Sequence, residues 1–196
     1  MNAPELDEQD SKDMARLVAG HGDALNELMG RHAERLFHYL LRQLNNETDA
    51  ADIAQETFVR VYQHRDRFRP EHKFSTWLYT IATNLLRNRF RWHKRHPQVS
   101  LDAEDNDTHG LKDVLPDSAA TPSDQAVTKE RAQAVRQAVG SLPEPLRTAM
   151  ILAEYDDLPH AQIAAILKCT PKAVENYLYR ARAHLRQRLE SLLQPG

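Results

Sequence analysis

The stretch from Asp157 to Leu189 constrains this chain more than any other. His160 to Leu167 reads as a short helix, Lys168-Cys169 as a tight turn, and Thr170-Pro171 as the opening of a longer helix. Threonine is a favoured N-cap because its hydroxyl accepts a hydrogen bond from a backbone N–H of the first turn. Proline at the first helical position loses nothing there, since its missing N–H would have had no partner. Val174, Leu178, Ala181, Leu185 and Leu189 recur every three or four residues and make one apolar stripe. Lys172, Glu175, Asn176, Tyr179, Arg180 and Arg182 are left facing outward, with Arg186 and Arg188 further along. This is the helix-turn-helix pattern, whose second helix fits the DNA major groove and whose early residues reach base edges. The arginines suit phosphates, a contact that weakens with salt. An ordinary helical hairpin would explain the stripe, but not so dense an arginine face beside a capped start.

The rest of the chain is helical in pattern too. Only 6 glycines and few β-branched runs argue against sheet. Leu25, Leu28, Met29, His32, Leu36 and Leu40 form a helical stripe that Asn45 and Asn46 break. Thr48 or Asp49 is the expected cap of a second helix, with Ile53, Phe58, Val59 and Tyr62 as its apolar repeat. Phe68-Arg69-Pro70 interrupts, because proline disfavours helix in the residue before it. Ser75 or Thr76 is the expected cap of a third helix carrying Trp77, Leu78, Ile81, Leu85 and Phe90. Pro97 ends this part. Residues 98–123 are acidic and aperiodic, too long for a loop inside a compact domain, and read as a linker. Helical pattern returns near Asp124 with Val127, Val135 and Val139, and Ser141 with Glu144 has the spacing of a capping box. The expected fold is all-α, with helical domains at 10–97 and 124–193.

Charge separates along the chain although the formal net charge is only −2. Basic residues gather from Arg60 to Arg95 and from Arg180 to Arg188, acidic ones in the first fifty-odd positions and from Asp102 to Asp124. Such segregation lets one face meet DNA and another a basic partner, although solvated helix faces have the same composition. The single cysteine, Cys169, excludes a disulfide framework and fits a reducing cytoplasm. The acidic amino terminus lacks the apolar core of a secretory signal, and no apolar run reaches the length of a membrane span. A cytoplasmic protein without membrane insertion is expected.

Two further segments carry possible function. Asp49, Asp52 and Glu56 fall three and four residues apart and so line one helix face. That face suits docking on a basic helical partner, while Asp49 and Asp52 are also what a helix N-terminus favours with no partner at all. From Phe68 to Trp92, aromatic residues alternate with Arg69, Lys73, Arg87, Arg89 and Arg91. Rings among cations suit single-stranded DNA, whose bases stack while the backbone follows positive charge. Extracting a base costs a few kcal/mol, so a pocket beside such a platform is expected. Trp77 and Phe90, at helical spacing, fit a core equally well.

These segments in this order resemble the extracytoplasmic-function, or group four, sigma factors of bacterial RNA polymerase. The strings that carry the resemblance are Asp49-Ala-Ala-Asp-Ile-Ala-Gln-Glu-Thr-Phe58, Phe74-Ser-Thr-Trp-Leu-Tyr-Thr-Ile-Ala-Thr-Asn84, Ser141-Leu-Pro-Glu144 and Tyr179-Arg-Ala-Arg182. The resemblance implies that the first domain (region 2) docks on the β′ clamp helices of core polymerase through Asp49, Asp52, Gln55 and Glu56. It implies that the loop from Phe68 to Ser75 captures a flipped base of the −10 element, with Arg60, His64, Phe68, Arg69, Lys73, Phe74, Asn84 and Arg87 on the DNA. The second domain (region 4) would sit by the β flap and read the −35 element through Lys172, Glu175, Asn176, Tyr179, Arg180 and Arg182. The acidic linker would thread a basic channel. An anti-sigma factor would be a further partner and could hold the protein at the inner membrane.

Two positions depart from the family pattern. Ala51 stands where a further acidic residue is usual, which lowers the expected affinity for core, and a phosphate on Thr48 would restore negative charge there. Glu175 stands where relatives often carry a base; it accepts from cytosine N4 and repels phosphate, implying an unusual −35 sequence.

Other classes fit less of the chain. A free-standing regulator would bind duplex specifically without polymerase, and a pure interaction module has no use for the basic second helix. An enzyme finds no support, since Cys169 has no catalytic partner in sequence. No cofactor motif is visible. His93 and His96 have no nearby cysteine or carboxylate and read as a basic helix end rather than a metal site.

Overall fold

A computed structural model describes residues 3–96 and 122–190. Among these residues there is no strand, and eight α-helices follow one another: α1 (Ala3–Val18), α2 (Ala24–Leu44), α3 (Glu47–Gln63), α4 (Phe74–Arg95), α5 (Pro122–Gly140), α6 (Glu144–Glu154), α7 (His160–Leu167) and α8 (Pro171–Arg188). A single 3-10 turn, Arg65–Arg67, leads from α3 toward α4. The all-α expectation therefore holds. The acidic linker expected at 98–123 lies outside the described residues, apart from its last two, which open α5.

In the first half, Leu28, His32, Leu36 and Leu40 of the predicted stripe are buried along α2. Asn45 closes that helix in the left-handed conformation (φ 51°), its N–H reaching the Leu41 carbonyl. Asparagine tolerates this conformation better than most residues. Asn46 is extended, and its side-chain oxygen accepts from the Asp49 N–H at 2.9 Å. The cap of α3 is thus Asn46, and the expected caps Thr48 and Asp49 lie inside the first turn. The apolar repeat of α3 also differs from expectation. Ala50, Ile53, Thr57, Phe58 and Val61 are buried, whereas Val59 and Tyr62 are 41% and 44% exposed. An inward row at 50, 53, 57 and 61 leaves 59 and 62 on the outer face.

Helix α4 begins at Phe74 after an extended Lys73 and has no side-chain cap, so neither Ser75 nor Thr76 plays that part. Phe74 starts it instead by burial, its ring centroid 5.1 Å from that of His32 and 6.2 Å from those of Phe68 and Trp77. Helix α1 is fastened to α2 by charge. Asp10 and Asp13 are each 1% exposed. Arg31 donates to Asp10 at 2.9 Å and to Asp13 at 2.7 Å, and His32 Nε2 lies 2.7 Å from Asp10.

In the second half, α6, α7 and α8 pack around Leu146, Ile151, Ile163, Ile166, Val174 and Leu178. The capping box expected at Ser141 and Glu144 does not form. Pro143 is the N-cap of α6 with no side-chain bond, while the Ser141 hydroxyl donates back to the Ala138 carbonyl at 2.7 Å and so finishes α5. Glu144 is drawn elsewhere, to Arg87.

The halves are not separate bodies. Helix α7 lies along α4 and α6 along α2, and the buried side chains form one continuous core. Polar contacts stitch the seam. The Tyr79 hydroxyl donates to Asp156 Oδ1 at 2.7 Å, Arg35 to the Asp156 carbonyl at 2.9 Å, and Gln43 to the Thr148 hydroxyl at 3.1 Å. Arg147 donates to Gln43 Oε1 at 3.1 Å and lies over the Phe90 ring, while Arg42 lies over the Tyr155 ring.

Candidate nucleic-acid interface

The helix-turn-helix forms where the sequence places it. Helix α7 ends at Leu167, Lys168 turns through the left-handed region (φ 56°), and the Thr170 hydroxyl accepts from the Ala173 N–H at 3.2 Å to start α8. Val174, Leu178 and Ala181 are buried and Leu185 half-buried, which fixes the rotation of α8. Lys172, Glu175, Asn176, Tyr179, Arg180 and Arg182 are consequently all exposed, Tyr179 at 75%. Three of them are engaged. Lys172 donates to Glu175 at 2.6 Å and this bond holds the Glu175 carboxyl below its usual range. Arg182 reaches back to Glu154 on α6 at 2.7 Å. A shallow concavity of about 270 Å³ beside Tyr179 is lined by His160, Glu175, Arg182 and Arg186. The face is polar and net basic.

On α3, Asp52 and Gln55 are exposed, while Asp49 accepts from Arg89 and Glu56 accepts from Arg60 at 2.8 Å. The expected acidic face is thus partly neutralised within the fold. Between it and α4 runs a cleft of about 640 Å³, floored by Ile53 and Leu85 and edged by Asp52, Glu56, Arg89, Arg91, Trp92 and Arg95. An apolar floor between carboxylates and guanidinium groups suits the side of another helix.

The residues expected to meet melted DNA are scattered in exposure. Arg69 is exposed at the loop, and His64 and Phe68 are half-buried, with Phe68 packed on Trp77 at 5.4 Å between centroids. Lys73 is exposed but bound to Asp7 of α1 at 2.5 Å. Phe74 is core, which removes its ring from the surface. Asn84 is half-buried on α4, and Arg87 donates to Glu144 across the seam at 3.0 Å.

Sequence reasoning missed the seam itself. Tyr79 and Asp156 are 77 positions apart, and no spacing rule links residues so far apart. Tyr79 lies on a helix read for its aromatic-basic pattern and Asp156 in the bend after α6, so neither carried a local signal of the pairing. Cys169 is free and half-buried, and burial pushes its thiol up, away from a reactive thiolate. Among the described residues no three histidine, cysteine, aspartate or glutamate side chains gather to hold a metal, and no helix is long and apolar enough to cross a membrane.

Comparison with known proteins agrees with this arrangement. The sigma-70 region 2 family matches residues 28–96, and the sigma-70 region 4 family matches residues 132–185. The ECF RNA polymerase sigma factor SigW of Bacillus subtilis is 35% identical over 184 residues, covering 92% of this chain and 97% of its own. The structure of CnrH in complex with the cytosolic domain of CnrY superposes with a TM-score of 0.65 at 25% identity, covering 93% of this chain and 98% of that one. The sigma factor RpoE of Bartonella quintana, solved with the anti-sigma factor NepR, has the same fold, with a TM-score of 0.64 at 21% identity over 84% of this chain and 96% of that one. With region 2 helices carrying the aromatic-basic segment and region 4 helices presenting a basic reading face, the chain belongs to the extracytoplasmic-function sigma factors.

Proposed function

We propose that this sigma factor, which directs RNA polymerase to promoters for initiation, divides its work among three faces. Region 2, taken as 10–97, docks on the β′ clamp helices through Asp49, Asp52, Gln55 and Glu56, with the α3–α4 cleft receiving the partner's side chains. Arg60, His64, Phe68, Arg69, Lys73, Asn84 and Arg87 then handle melted −10 DNA. Phe74 supports Phe68 and Trp77 from beneath, since its own ring is buried. Region 4, taken as 124–193, lies by the β flap and reads the −35 element through Lys172, Glu175, Asn176, Tyr179, Arg180 and Arg182. The observation that carries this reading is the capped α8, whose exposed face holds all six of those side chains.

No bond chemistry is assigned to the chain; nucleotide addition belongs to the polymerase. The protein works in the cytoplasm, and an anti-sigma factor is a natural partner, as RpoE was solved with one. The test is binding to purified core polymerase followed by run-off transcription. Nanomolar binding that Asp49→Ala/Asp52→Ala weakens at least tenfold is the expected result. A folded chain that fails to bind core but binds a duplex specifically would replace this reading with a free-standing regulator.

A further inference from the structure

Nothing local fixes where α4 begins. Lys73 at its N-cap is extended and makes no side-chain cap, and the 3-10 turn before it is uncapped as well. A helix start without a side-chain cap is set by what its first residues touch. Both residues at this junction are held by way of α1. Asp7 binds Lys73 at 2.5 Å. One turn further along α1, Asp10 lies 2.7 Å from His32 Nε2, and the His32 ring centroid is 5.1 Å from that of Phe74. Asp7 and Asp10 are three residues apart and so share a face of their helix. Helix α1 also packs on the 3-10 turn itself. It lies outside residues 28–96, the part matched by the region 2 family.

The Asp10 contact is built to fix position. Its carboxylate is 1% exposed and both oxygens are used: Arg31 donates to Oδ1 at 2.9 Å, and Oδ2 meets His32. A buried carboxylate satisfied on both oxygens has one good geometry, and leaving it costs a partner. His32, itself buried, is therefore pinned at Nε2, and its ring packs against Phe74. Phe74 in turn packs against Phe68 and Trp77, each 6.2 Å away between centroids, and those two rings are 5.4 Å apart. Phe68 is half-buried and belongs to the loop. Contacts thus run without a break from a buried carboxylate of α1 to the aromatic ring of the loop.

We propose that α1 is the positioning element of the −10 loop. Asp10, acting through His32 and Phe74, holds the Phe68 ring where it receives a base, and Asp7 fixes the end of the loop through Lys73. Asp7, Asp10 and His32 touch no DNA in this role. The consequence for DNA rests on the −10 reading above, whereas the brace is a property of the chain alone. Stacking gains most from a ring already in place, because ordering a side chain on binding costs free energy. A loosened brace therefore lowers discrimination among bases, and not only total binding.

Two readouts test this, one on the loop and one on DNA. In the free chain, Trp92→Phe leaves Trp77 as the sole tryptophan, and acrylamide quenching then reports how tightly the Phe68–Phe74–Trp77 cluster is packed. For DNA, holoenzyme assembled from core polymerase and the chain with Trp92 intact captures short single strands of random sequence. Sequencing them gives the base preference at each position, a ratio that does not depend on how much of the sample is folded. Phe68→Ala identifies the position that the loop reads. His32→Leu keeps an apolar filling and leaves Arg31 on Asp10 and Asp13, so α1 stays docked. It should raise Trp77 quenching severalfold and lower the preference at that position about tenfold, within the range for losing one stacked base. Asp10→Ala should do the same, and Asp10→Asn, which can still bond Arg31 and His32, should restore most of the preference. Unchanged quenching, or lower recovery of DNA with the preference intact, makes α1 merely structural and overturns the proposal. Quenching that rises in the variants while no position responds to Phe68→Ala would support the brace and count against the −10 reading alone.

Discussion

At the residue scale, Thr170, the cap of α8, and Glu175 within it set how the exposed face of that helix is presented. Thr170 satisfies the Ala173 N–H and sets where α8 begins. Thr170→Ala should cost about 1 kcal/mol in urea unfolding and loosen the frame of the reading face. Glu175 matters through Lys172. Their bond at 2.6 Å holds a cation that would otherwise be free for phosphate. Glu175→Gln should release Lys172, tighten duplex binding and steepen the dependence of log affinity on log salt by about one unit, as measured by titration at several salt concentrations. If the salt slope stays unchanged, Lys172 does not face the backbone. The same substitution should alter the preferred −35 base only if the Glu175 carboxylate reads it directly. Thr48, exposed in the first turn of α3, remains the site where an added phosphate would supplement the acidic face.

At the element scale, α1 is fixed by the burial of Met14 and Leu17 and by the two aspartates it inserts beside Arg31 and His32. Burial raises the Asp13 carboxyl, but hydrogen bonds from Arg31, Gln9 and Arg16 outweigh it and leave Asp13 below its ordinary value. A depressed carboxylate stabilises the fold fully above its unfolded pKa of about 4, and that contribution is lost as pH falls through the lower folded value. Acidification below about pH 4 should therefore release α1 early, seen as loss of the distinct NMR methyl signal of Met14, which is 1% exposed. Asp13→Ala should have a similar effect at neutral pH. It would leave Arg31 short of a partner and cost about 3 kcal/mol in urea unfolding. Because Asp7 of α1 also holds Lys73, releasing α1 would free a cation at the start of α4.

At the scale of the whole molecule, the shared core makes a thermal prediction. Halves joined through Leu36, Tyr39, Leu78 and Ile151 in one apolar cluster should melt together, as one calorimetric transition. Tyr79→Phe, which removes one seam hydrogen bond and leaves the apolar cluster in place, should lower the midpoint of that single transition. Two transitions in the wild-type chain would mean that the halves are thermodynamically independent. The arrangement also explains why charge segregates while net charge stays near zero. Acidic α1 and the carboxylates Asp49 and Glu144 lie against the basic residues Lys73, Arg89 and Arg87 within the fold.

The sequence by itself determined the helices, the bounds of α7 and the cap and outward face of α8, because these depend on local patterns: a threonine before a proline, a stripe every three or four residues. The resemblance of four short strings added the family. Local chemistry also misled where several residues competed for one task. Asn46 took the cap assigned to Thr48 or Asp49 because it alone is extended with its side chain over the first turn. Ser141 turned back to Ala138, and Glu144 went to Arg87, a residue 57 positions away. Only the tertiary structure could decide that Phe74 is core, that Val59 and Tyr62 face outward, and that Tyr79 meets Asp156. Each of those outcomes depends on which helix packs against which, and the pairing is set by the sum of many weak contacts distributed over the whole chain.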